Sequence, residues 1–222
     1  MRLVSHLKTP PGRKPRRILA GPCKGIVMDL SLRTQTQLYL GLFEKETHPW
    51  LTRLSKGIAT AIDIGVAYGE YTLYFLTKTQ ASKVFAFEPD VSLFPHLYEN
   101  LKLNGLDQSK RLEISHKFLG VSETEQAIRL DSLANSVQAP CFIKMDVDGA
   151  EEEILNGAKK INGLPGVRWL IETHSKDLEV ACDEILRGSG FQTRIIRKVA
   201  WRVFVPEQRP IEQNRWLAAW RS

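Results

Sequence analysis

Short apolar runs alternate with amphipathic stretches from residue 59 onward. The apolar runs are Ala59–Ile64, Lys83–Phe87, Arg111–Ser115, Cys141–Met145 and Val167–Ile171. The stretches with helical spacing of apolar residues are Tyr71–Thr77, Asp90–Asn104, Ala150–Ile161 and Lys176–Arg187. Asn104-Gly105 is a helix stop and Ser175 an N-cap by residue type. This alternation predicts a parallel sheet covered by helices.

Two further strand-like runs follow this alternation, Phe191–Ile196 and Trp201–Val205. Because only Arg197–Ala200 separate them, they can pair as an antiparallel hairpin but cannot form a parallel crossover. The expected fold is therefore α/β, a parallel sheet closed by one antiparallel hairpin.

The remaining segments extend this core at both ends. Residues 23–57 are expected to cap the sheet, with a short strand near Gly25–Leu30 and a helix at Thr34–Phe43. Trp216 and Trp220 are four residues apart, which predicts a helical turn that docks on the body or on a second subunit. The predicted division is a basic disordered arm at 1–22, a cap at 23–57, one domain at 58–205 and a tail at 206–222.

The chain has 222 residues, of which 43% are hydrophobic and 25% charged, and this composition excludes a disordered chain, collagen and a disulfide miniprotein. Its three cysteines form no CxxC, which argues against a disulfide framework and a zinc site. No apolar run is long enough to cross a bilayer. Gly21 and Pro22 interrupt the apolar stretch near the amino terminus, so it does not resemble a signal peptide. We expect a cytoplasmic protein without a membrane span.

The net charge of +6 is concentrated at the amino terminus. Residues 1–17 contain six Lys and Arg and no acid, so the other 25 basic residues balance the 25 acidic ones. Prolines in this segment disfavour a helix or a core, and nucleic-acid-binding domains usually spread basic residues over a folded face. The segment is interpreted as a solubilising arm, and a tether for a polyanion or an acidic membrane is the alternative.

A glycine-containing turn follows the first strand, in Asp63-Ile64-Gly65-Val66-Ala67-Tyr68-Gly69. Open α/β sheets bind ligands at such a turn. Gly65 allows a tight turn, and Gly69 allows a ligand to approach the start of the helix. Glu88 ends the second strand 19 residues beyond Gly69, where a carboxylate can accept hydrogen bonds from both hydroxyls of a ribose.

Nicotinamide dinucleotides and S-adenosylmethionine both satisfy this geometry. The dinucleotide fingerprint is GxGxxG, whereas the glycines here are spaced GxxxG. Asp63 would repel a pyrophosphate at the turn but would attract the ammonium group of a methionine moiety. These differences favour S-adenosylmethionine.

Five segments in order resemble the FkbM-type S-adenosylmethionine-dependent methyltransferases. They are AIDIGVAYGEYT, VFAFEPD, HLYENLKLNGL, RLDSL and IKMDVDGAEEEILNGAKK, and the resemblance runs from Gly25 to Ile196. It implies the class I methyltransferase fold, a Rossmann-like sheet of seven mostly parallel strands with one antiparallel strand and helices on both faces. It also implies methylation of a hydroxyl on a small molecule, natural product or sugar. By position it assigns cofactor binding to Asp63, Gly65, Gly69, Tyr71, Thr72 and Glu88, and places Gly120 beside the adenine.

The chain departs from the family where Val66-Ala67 replace a common Ala-Asn pair. This replacement removes one polar side chain next to the cofactor. The segment between the third and fourth strands is also short and leaves little room for insertions that shape a substrate pocket. The identity of the acceptor therefore does not follow from the resemblance.

Methylation of a hydroxyl requires that the acceptor lose a proton, so a base is expected at the carboxyl ends of the strands beside the cofactor. Asp146 ends the fourth strand and His174 follows the fifth, and both are candidate bases. Lys144 can lower the pKa of a neighbouring acid or of the acceptor. Asp146, Glu172 and His174 can also hold a divalent cation, but their spacing alone does not establish a metal site, and none is predicted.

Neighbouring residues also have structural interpretations. Asp148 and Glu151 match an Asp-x-x-Glu helix start, so Asp148 is expected as the N-cap. Glu151–Glu153 are expected to be structural or solvated in the first helical turn. His174 can be a base or can simply donate to backbone groups.

Three functions are compatible with these features. The leading one is an O-methyltransferase that acts on a small molecule or glycan. An RNA methyltransferase guided by the basic arm is the alternative, although the Asp146-Val147-Asp148-Gly149 segment lacks an Asn/Asp-Pro-Pro-aromatic motif. A non-catalytic protein that keeps the cofactor pocket is the third, supported by Ala67. The acceptor and the oligomeric state stay open.

Overall fold

The computed structural model describes residues 12–197 and 215–221. Its strands are β1 (Arg13–Arg17), β2 (Val27–Ser31), β3 (Thr60–Ile64), β4 (Lys83–Phe87), β5 (Leu112–Ser115), β6 (Phe118–Leu119), β7 (Ala127–Ile128), β8 (Cys141–Met145), β9 (Val167–Thr173), β10 (Gln192–Ile196) and β11 (Arg215–Trp220). Its α-helices are α1 (Thr36–Leu40), α2 (His48–Leu54), α3 (Glu70–Lys78), α4 (Phe94–Lys102), α5 (Glu151–Asn156), α6 (Lys159–Gly163) and α7 (Lys176–Gly188). Short 3₁₀ turns lie at Lys45–Thr47, Val91–Leu93 and Leu130–Leu133. Within the described ranges, every helix is too short or too polar to span a bilayer.

Seven strands form the central sheet in the order β10-β11-β9-β8-β3-β4-β5. Neighbouring strands from β9 to β5 are parallel, and β11 runs antiparallel to both β9 and β10. The expected architecture, a seven-stranded and mostly parallel sheet with one antiparallel strand, is confirmed.

Helices cover both faces of this sheet, so its central strands are buried on both sides. One apolar core lies between the sheet and the cap with α3 and α4, and it includes Phe75, Leu97 and Phe142. The other lies against α5, α6 and α7 and includes Leu155 and Trp169. Adjacent residues of a strand contribute to opposite cores, because successive side chains point to opposite faces.

The predicted helices agree with the structure except where a residue interrupts the helix. The stretch predicted at Ala150–Ile161 divides into α5 and α6 at Gly157, where a Cβ would lie 2.1 Å from the carbonyl oxygen of Gly120. The stretch predicted at Asp90–Asn104 begins as a 3₁₀ turn, and α4 then starts with a proline in its first turn. Proline suits this position because the first amide groups of a helix have no intrahelical acceptor.

The prediction of a disordered arm at 1–22 is wrong for the part that the structure describes. β1 pairs antiparallel with β2, and Pro15 lies opposite Asp29. Because these two strands form a separate sheet, β1 has an unpaired edge where proline is tolerated. Ile18, which follows the strand, is buried in the core.

The prediction of a helical turn at Trp216 and Trp220 is also wrong, because both residues belong to β11. A spacing of four residues puts two side chains on the same face of either a helix or a strand, so the spacing could not distinguish them. Trp216 packs near Tyr71 and Trp220 near Trp50, both on the cap side of the sheet. The strand predicted at Trp201–Val205 lies outside the described residues, and β10 pairs instead with β11.

Candidate functional site

Four parallel strands end at the same edge of the sheet, and each is followed directly by a residue singled out in the sequence. Gly65 follows β3, Glu88 follows β4, Asp146 follows β8 and His174 follows β9. A cleft of about 490 Å³ opens at this edge, within the range of small-molecule sites. Its walls include Gly65, Ala67, Glu88, Pro89, Asp90, Lys117, Phe118, Leu119, Asp146 and Asp148.

Gly65 makes the tight turn that the sequence predicts. Its φ is +78°, and a Cβ at this position would lie 1.8 Å from the carbonyl oxygen of Asp146. Gly69 also has a positive φ, +91°, but the group that excludes a side chain there is Leu97, 2.5 Å from where its Cβ would lie. The positive φ and the packing of Leu97 therefore both favour glycine at this position, and a contact of Gly69 with the cofactor stays a prediction.

Glu88 connects the loops on the two sides of the cleft. Its Oε2 accepts a hydrogen bond of 2.9 Å from the amide of Ala67, and its Oε1 accepts one of 3.0 Å from the amide of Asp90. A carboxylate has about four acceptor positions, so both oxygens can accept a further hydrogen bond from a ligand. A contact of this side chain with the ribose hydroxyls of S-adenosylmethionine is compatible with this geometry and stays a prediction.

Asp63 and Thr72 lie behind the glycine turn rather than on the wall of the cleft. The hydroxyl of Thr72 donates a hydrogen bond of 2.6 Å to Asp63 Oδ2, and Lys144 Nζ is 3.6 Å from Asp63 Oδ1. Burial raises the pKa of Asp63 and the Lys144 ammonium opposes this. These contacts hold the turn, and a direct contact of Asp63 with a cofactor ammonium stays a prediction.

Tyr71 and Gly120 also lie away from the cleft wall. The Tyr71 hydroxyl donates to Glu44, a buried residue of the cap. Gly120 packs against Gly157, and its neighbour Leu119 lines the cleft instead. The structure therefore brings Gly65 and Glu88 together at the cleft and separates Tyr71 and Gly120 from it.

The three candidate catalytic residues are adjacent. Lys144 Nζ is 3.8 Å from Asp146 Oδ2, and His174 Nε2 is 3.5 Å from Asp146 Oδ1. Lys144 also donates a hydrogen bond of 2.9 Å to the carbonyl of Gly65. Burial lowers the pKa of Lys144, but the carboxylates of Asp146 and Asp63 raise it, and the net pKa lies above the ordinary value. Lys144 therefore stays charged and cannot serve as a base at neutral pH.

Glu151 orients the His174 ring, and this role of Glu151 was not predicted from the sequence. Its Oε1 is 2.7 Å from His174 Nδ1, and the Glu151 side chain is fully buried. This hydrogen bond raises the pKa of His174, burial lowers it, and Asp146 raises it further, so the net pKa lies above 6.5. The expectation that Glu151 is structural or solvated holds only in the structural sense.

The expectation that Asp148 caps α5 is wrong. The N-cap position is Ala150, and the Asp148 side chain is fully exposed with its Oδ1 3.7 Å from His174 Nε2. Gly149 adopts a φ of +102°, which turns the chain so that the helix begins at Glu151. Glu151 therefore points inward toward His174.

Asp146, Glu172 and His174 bring donor atoms within 4.8 Å of one another. Two ligand atoms that are each about 2.3–2.6 Å from a calcium ion can lie up to about 5 Å apart, and shorter metal–ligand distances need a smaller separation. The cation hypothesis is therefore compatible with the geometry and stays a hypothesis.

Asn100 is a further contributor to the site that sequence analysis missed. Its Nδ2 donates a hydrogen bond of 2.8 Å to the carbonyl of Tyr68 in the glycine turn, and its Oδ1 accepts one of 2.7 Å from the amide of Asp29 in β2. Asn104 makes a similar pair of bonds to Val27. Asn100 is buried on the same face of α4 as Leu97 and Leu101, whereas Asn104 lies in the turn that follows the helix. A polar residue on the apolar stripe of α4 was the available signal for Asn100.

Residues 98–187 match the sequence model of the family described as "Methyltransferase FkbM domain". The resemblance to the FkbM methyltransferases is confirmed. Comparison with curated proteins gives no match.

Solved structures share the fold of this FkbM-like chain at low sequence identity. A methyltransferase FkbM from Methylobacillus flagellatus is 20% identical with a TM-score of 0.56, over 73% of this chain and 43% of that one. An rRNA methylase from Streptococcus thermophilus is 14% identical with a TM-score of 0.55, over 80% of this chain and 96% of that one. An S-adenosylmethionine-dependent O-methyltransferase from Thermotoga maritima is 18% identical with a TM-score of 0.51, over 80% of this chain and 65% of that one.

These similarities establish the class I methyltransferase fold. This chain spans less than half the length of the M. flagellatus protein. The descriptions of these structures name different kinds of methyltransferase, so the comparison does not define the acceptor of this chain.

Proposed function

We propose that the protein is an S-adenosylmethionine-dependent methyltransferase that methylates a hydroxyl of a small molecule or sugar. The observation that carries this proposal is the cleft that Glu88 and Asp146 line together, with His174 Nε2 3.5 Å from Asp146. S-Adenosylmethionine supplies an electrophilic methyl group, and the chain needs to hold the acceptor and remove its proton. Such positioning can contribute about 7–11 kcal/mol to catalysis.

His174 is the proposed base. A hydrogen bond to the carboxylate of Glu151 places a proton on Nδ1, which leaves the Nε2 lone pair of the neutral ring toward Asp146. A base with a pKa near the working pH is the most effective, and the pKa of His174 lies above 6.5. Asp146 would hold the acceptor hydroxyl and stabilise the imidazolium, and the Lys144 ammonium, 3.8 Å from Asp146 Oδ2, would hold the Asp146 side chain in place.

Titration calorimetry with S-adenosylmethionine tests the cofactor part of the proposal. Glu88→Ala removes a charge-assisted contact and should weaken binding by about 10- to 150-fold. Glu99→Gln, an exposed acid on α4, is the matched control and should bind like the wild type. A folded wild type without binding, or equal affinities in the two variants, would contradict the proposal.

Turnover tests the chemical part of the proposal. His174→Gln should retain S-adenosylmethionine affinity and lose most production of S-adenosylhomocysteine with an acceptor. ¹³C NMR of a product labelled from ¹³C-methyl cofactor distinguishes O-methyl from N-methyl carbons. Cofactor binding without turnover on any acceptor would favour the non-catalytic alternative, and activity that a chelator abolishes would favour the divalent cation.

An RNA acceptor is the second candidate, because the basic strand β1 approaches the cofactor turn. The Arg13 guanidinium lies 4.7 Å from the centroid of the Tyr68 ring. A truncation at Lys24 would remove β1 and the buried Ile18, so substitution of the exposed Lys14 and Arg17 by Gln is a cleaner test. RNA binding that these substitutions leave unchanged would remove the basic strand from consideration.

A further inference from the structure

A second cavity, of about 230 Å³, lies at the opposite end of the sheet from the cleft. It is lined by Arg53, Leu54, Lys56, Arg168, Trp220 and Arg221. Arg168 is the second residue of β9, whereas His174 follows the carboxyl end of the same strand. The cavity is therefore separated from the proposed active site by the length of the strand.

The lining of this cavity is strongly basic. Four of its six residues are Lys or Arg, and none of the lining residues within the described ranges is acidic. Such clustering is unfavourable without a counter-charge, because like charges at short range repel one another.

Neutral groups hold the Arg168 guanidinium in place. Its Nη1 donates hydrogen bonds of 2.8 Å to the carbonyls of both Leu54 and Lys56. A guanidinium has five N–H donors, so donors on Arg168 stay available to a ligand. The bonds fix its orientation without neutralising its charge.

Aromatic rings hold the other two guanidinium groups. Arg53 lies 5.4 Å from the ring centroid of Trp50 and 5.0 Å from that of Trp220. Arg221 lies 4.2 Å from the ring centroid of Phe191, and it donates a hydrogen bond to the carbonyl of Ser189. These contacts restrict the two side chains and leave their positive charge in place.

We infer that this basic cavity binds a phosphate group. Arginine presents paired donors that match phosphate oxygens, three arginines are held here by neutral partners, and Lys56 adds a fourth charge. The group can come from a free phosphorylated compound or from a nucleic-acid backbone, since both present the same oxygens. The inference is independent of the proposed methyl transfer, because the two cavities lie at opposite ends of the sheet.

Calorimetric titration of the full chain with inorganic pyrophosphate tests the inference. The wild type should bind one pyrophosphate per chain, and Arg53→Gln/Lys56→Gln should weaken binding by at least about 10-fold. Arg33→Gln/Lys102→Gln removes the same charge from exposed positions outside the cavity, so it should bind within about twofold of the wild type. Tryptophan fluorescence provides a second readout, because Trp50 and Trp220 both contact Arg53.

Absence of pyrophosphate binding to the wild type would overturn the inference. An equal loss of affinity in both double variants would also overturn it, because the overall positive charge of the chain, and not the cavity, would then attract pyrophosphate. A short RNA oligonucleotide that displaces pyrophosphate identifies the source as a nucleic-acid backbone. An oligonucleotide that does not displace it identifies a free phosphorylated compound. Unchanged S-adenosylmethionine affinity and melting temperature in both double variants establish that the fold is intact.

Discussion

At the residue scale, the hydrogen bond between Glu151 and His174 determines how the proposed base titrates. Because it raises the pKa of His174, Glu151→Gln should lower that pKa, measured by NMR of the ring protons. His116 in the same spectra is the internal control and should not shift. A His174 pKa that is unchanged in the variant would contradict the role of Glu151.

The same hydrogen bond has consequences for stability. A pKa raised on folding stabilises the protein fully below the unfolded value of 6.5, and this stabilisation is lost as the pH rises through the folded value. The unfolding free energy of His174→Gln should therefore fall below that of the wild type mainly in acid. A difference in unfolding free energy between the wild type and His174→Gln that stays constant from below pH 6.5 to above the folded pKa would oppose the assignment.

The methyl-transfer activity of the wild type should rise with pH through the folded pKa of His174, because the base must be neutral.

Gly65 provides a second test at this scale, because two separate effects exclude a side chain there. Gly65→Ala suffers from its positive φ and from the carbonyl of Asp146, whereas Gly57→Ala has a similar φ of +68° and open space around its Cβ. The conformational strain alone costs about 1–2 kcal/mol. Urea unfolding should give such a cost for Gly57→Ala and a larger one for Gly65→Ala. Equal costs would mean that the carbonyl moves aside freely.

At the scale of elements, α4 and the turn that follows it contact the cap through Asn100 and Asn104. Asn100→Ala and Asn104→Ala should each destabilise the fold by about 1–3 kcal/mol, because each leaves backbone groups of β2 without partners. Asn100 also holds the carbonyl of Tyr68. Calorimetry should therefore find weaker S-adenosylmethionine binding in Asn100→Ala alone. Equal weakening in both variants would mean that the cap, and not the turn, controls affinity.

The sequence predicted the elements whose signals are local. The buried strands of the sheet and the turn at Gly65 were predicted because apolar runs and glycines are visible within a few residues. The strand nature of Trp216 and Trp220 was missed because a spacing of four fits both structures. Pairing of β1 with β2 and of Glu151 with His174 depends on residues distant in the chain, and no local pattern reports such contacts.

At the scale of the whole molecule, the candidate site is a product of sheet topology. Gly65, Glu88, Asp146 and His174 are spread over more than 100 residues, and parallel pairing of β3, β4, β8 and β9 brings them to one edge. Their placement was predictable once the strands were known, since parallel strands end together. The residues that orient them were not, because Glu151 and Asn100 come from helices packed on opposite faces.

The contribution of β11 to stability measures whether the carboxyl-terminal residues 215–220 are an integral part of the central sheet. β11 lies between β9 and β10, and Leu217 is fully buried, whereas Leu19 is 50% exposed. Leu217→Ala should cost about 2–5 kcal/mol of unfolding free energy, as expected for a buried leucine in a closely packed core. Leu19→Ala should cost much less, because little of its surface is removed from water on folding. Chemical denaturation of both variants measures the difference. A small cost for Leu217→Ala would place the tail outside the sheet and leave β10 without its partner, whereas a large cost makes residues 215–220 as integral to the fold as the strands that carry the site.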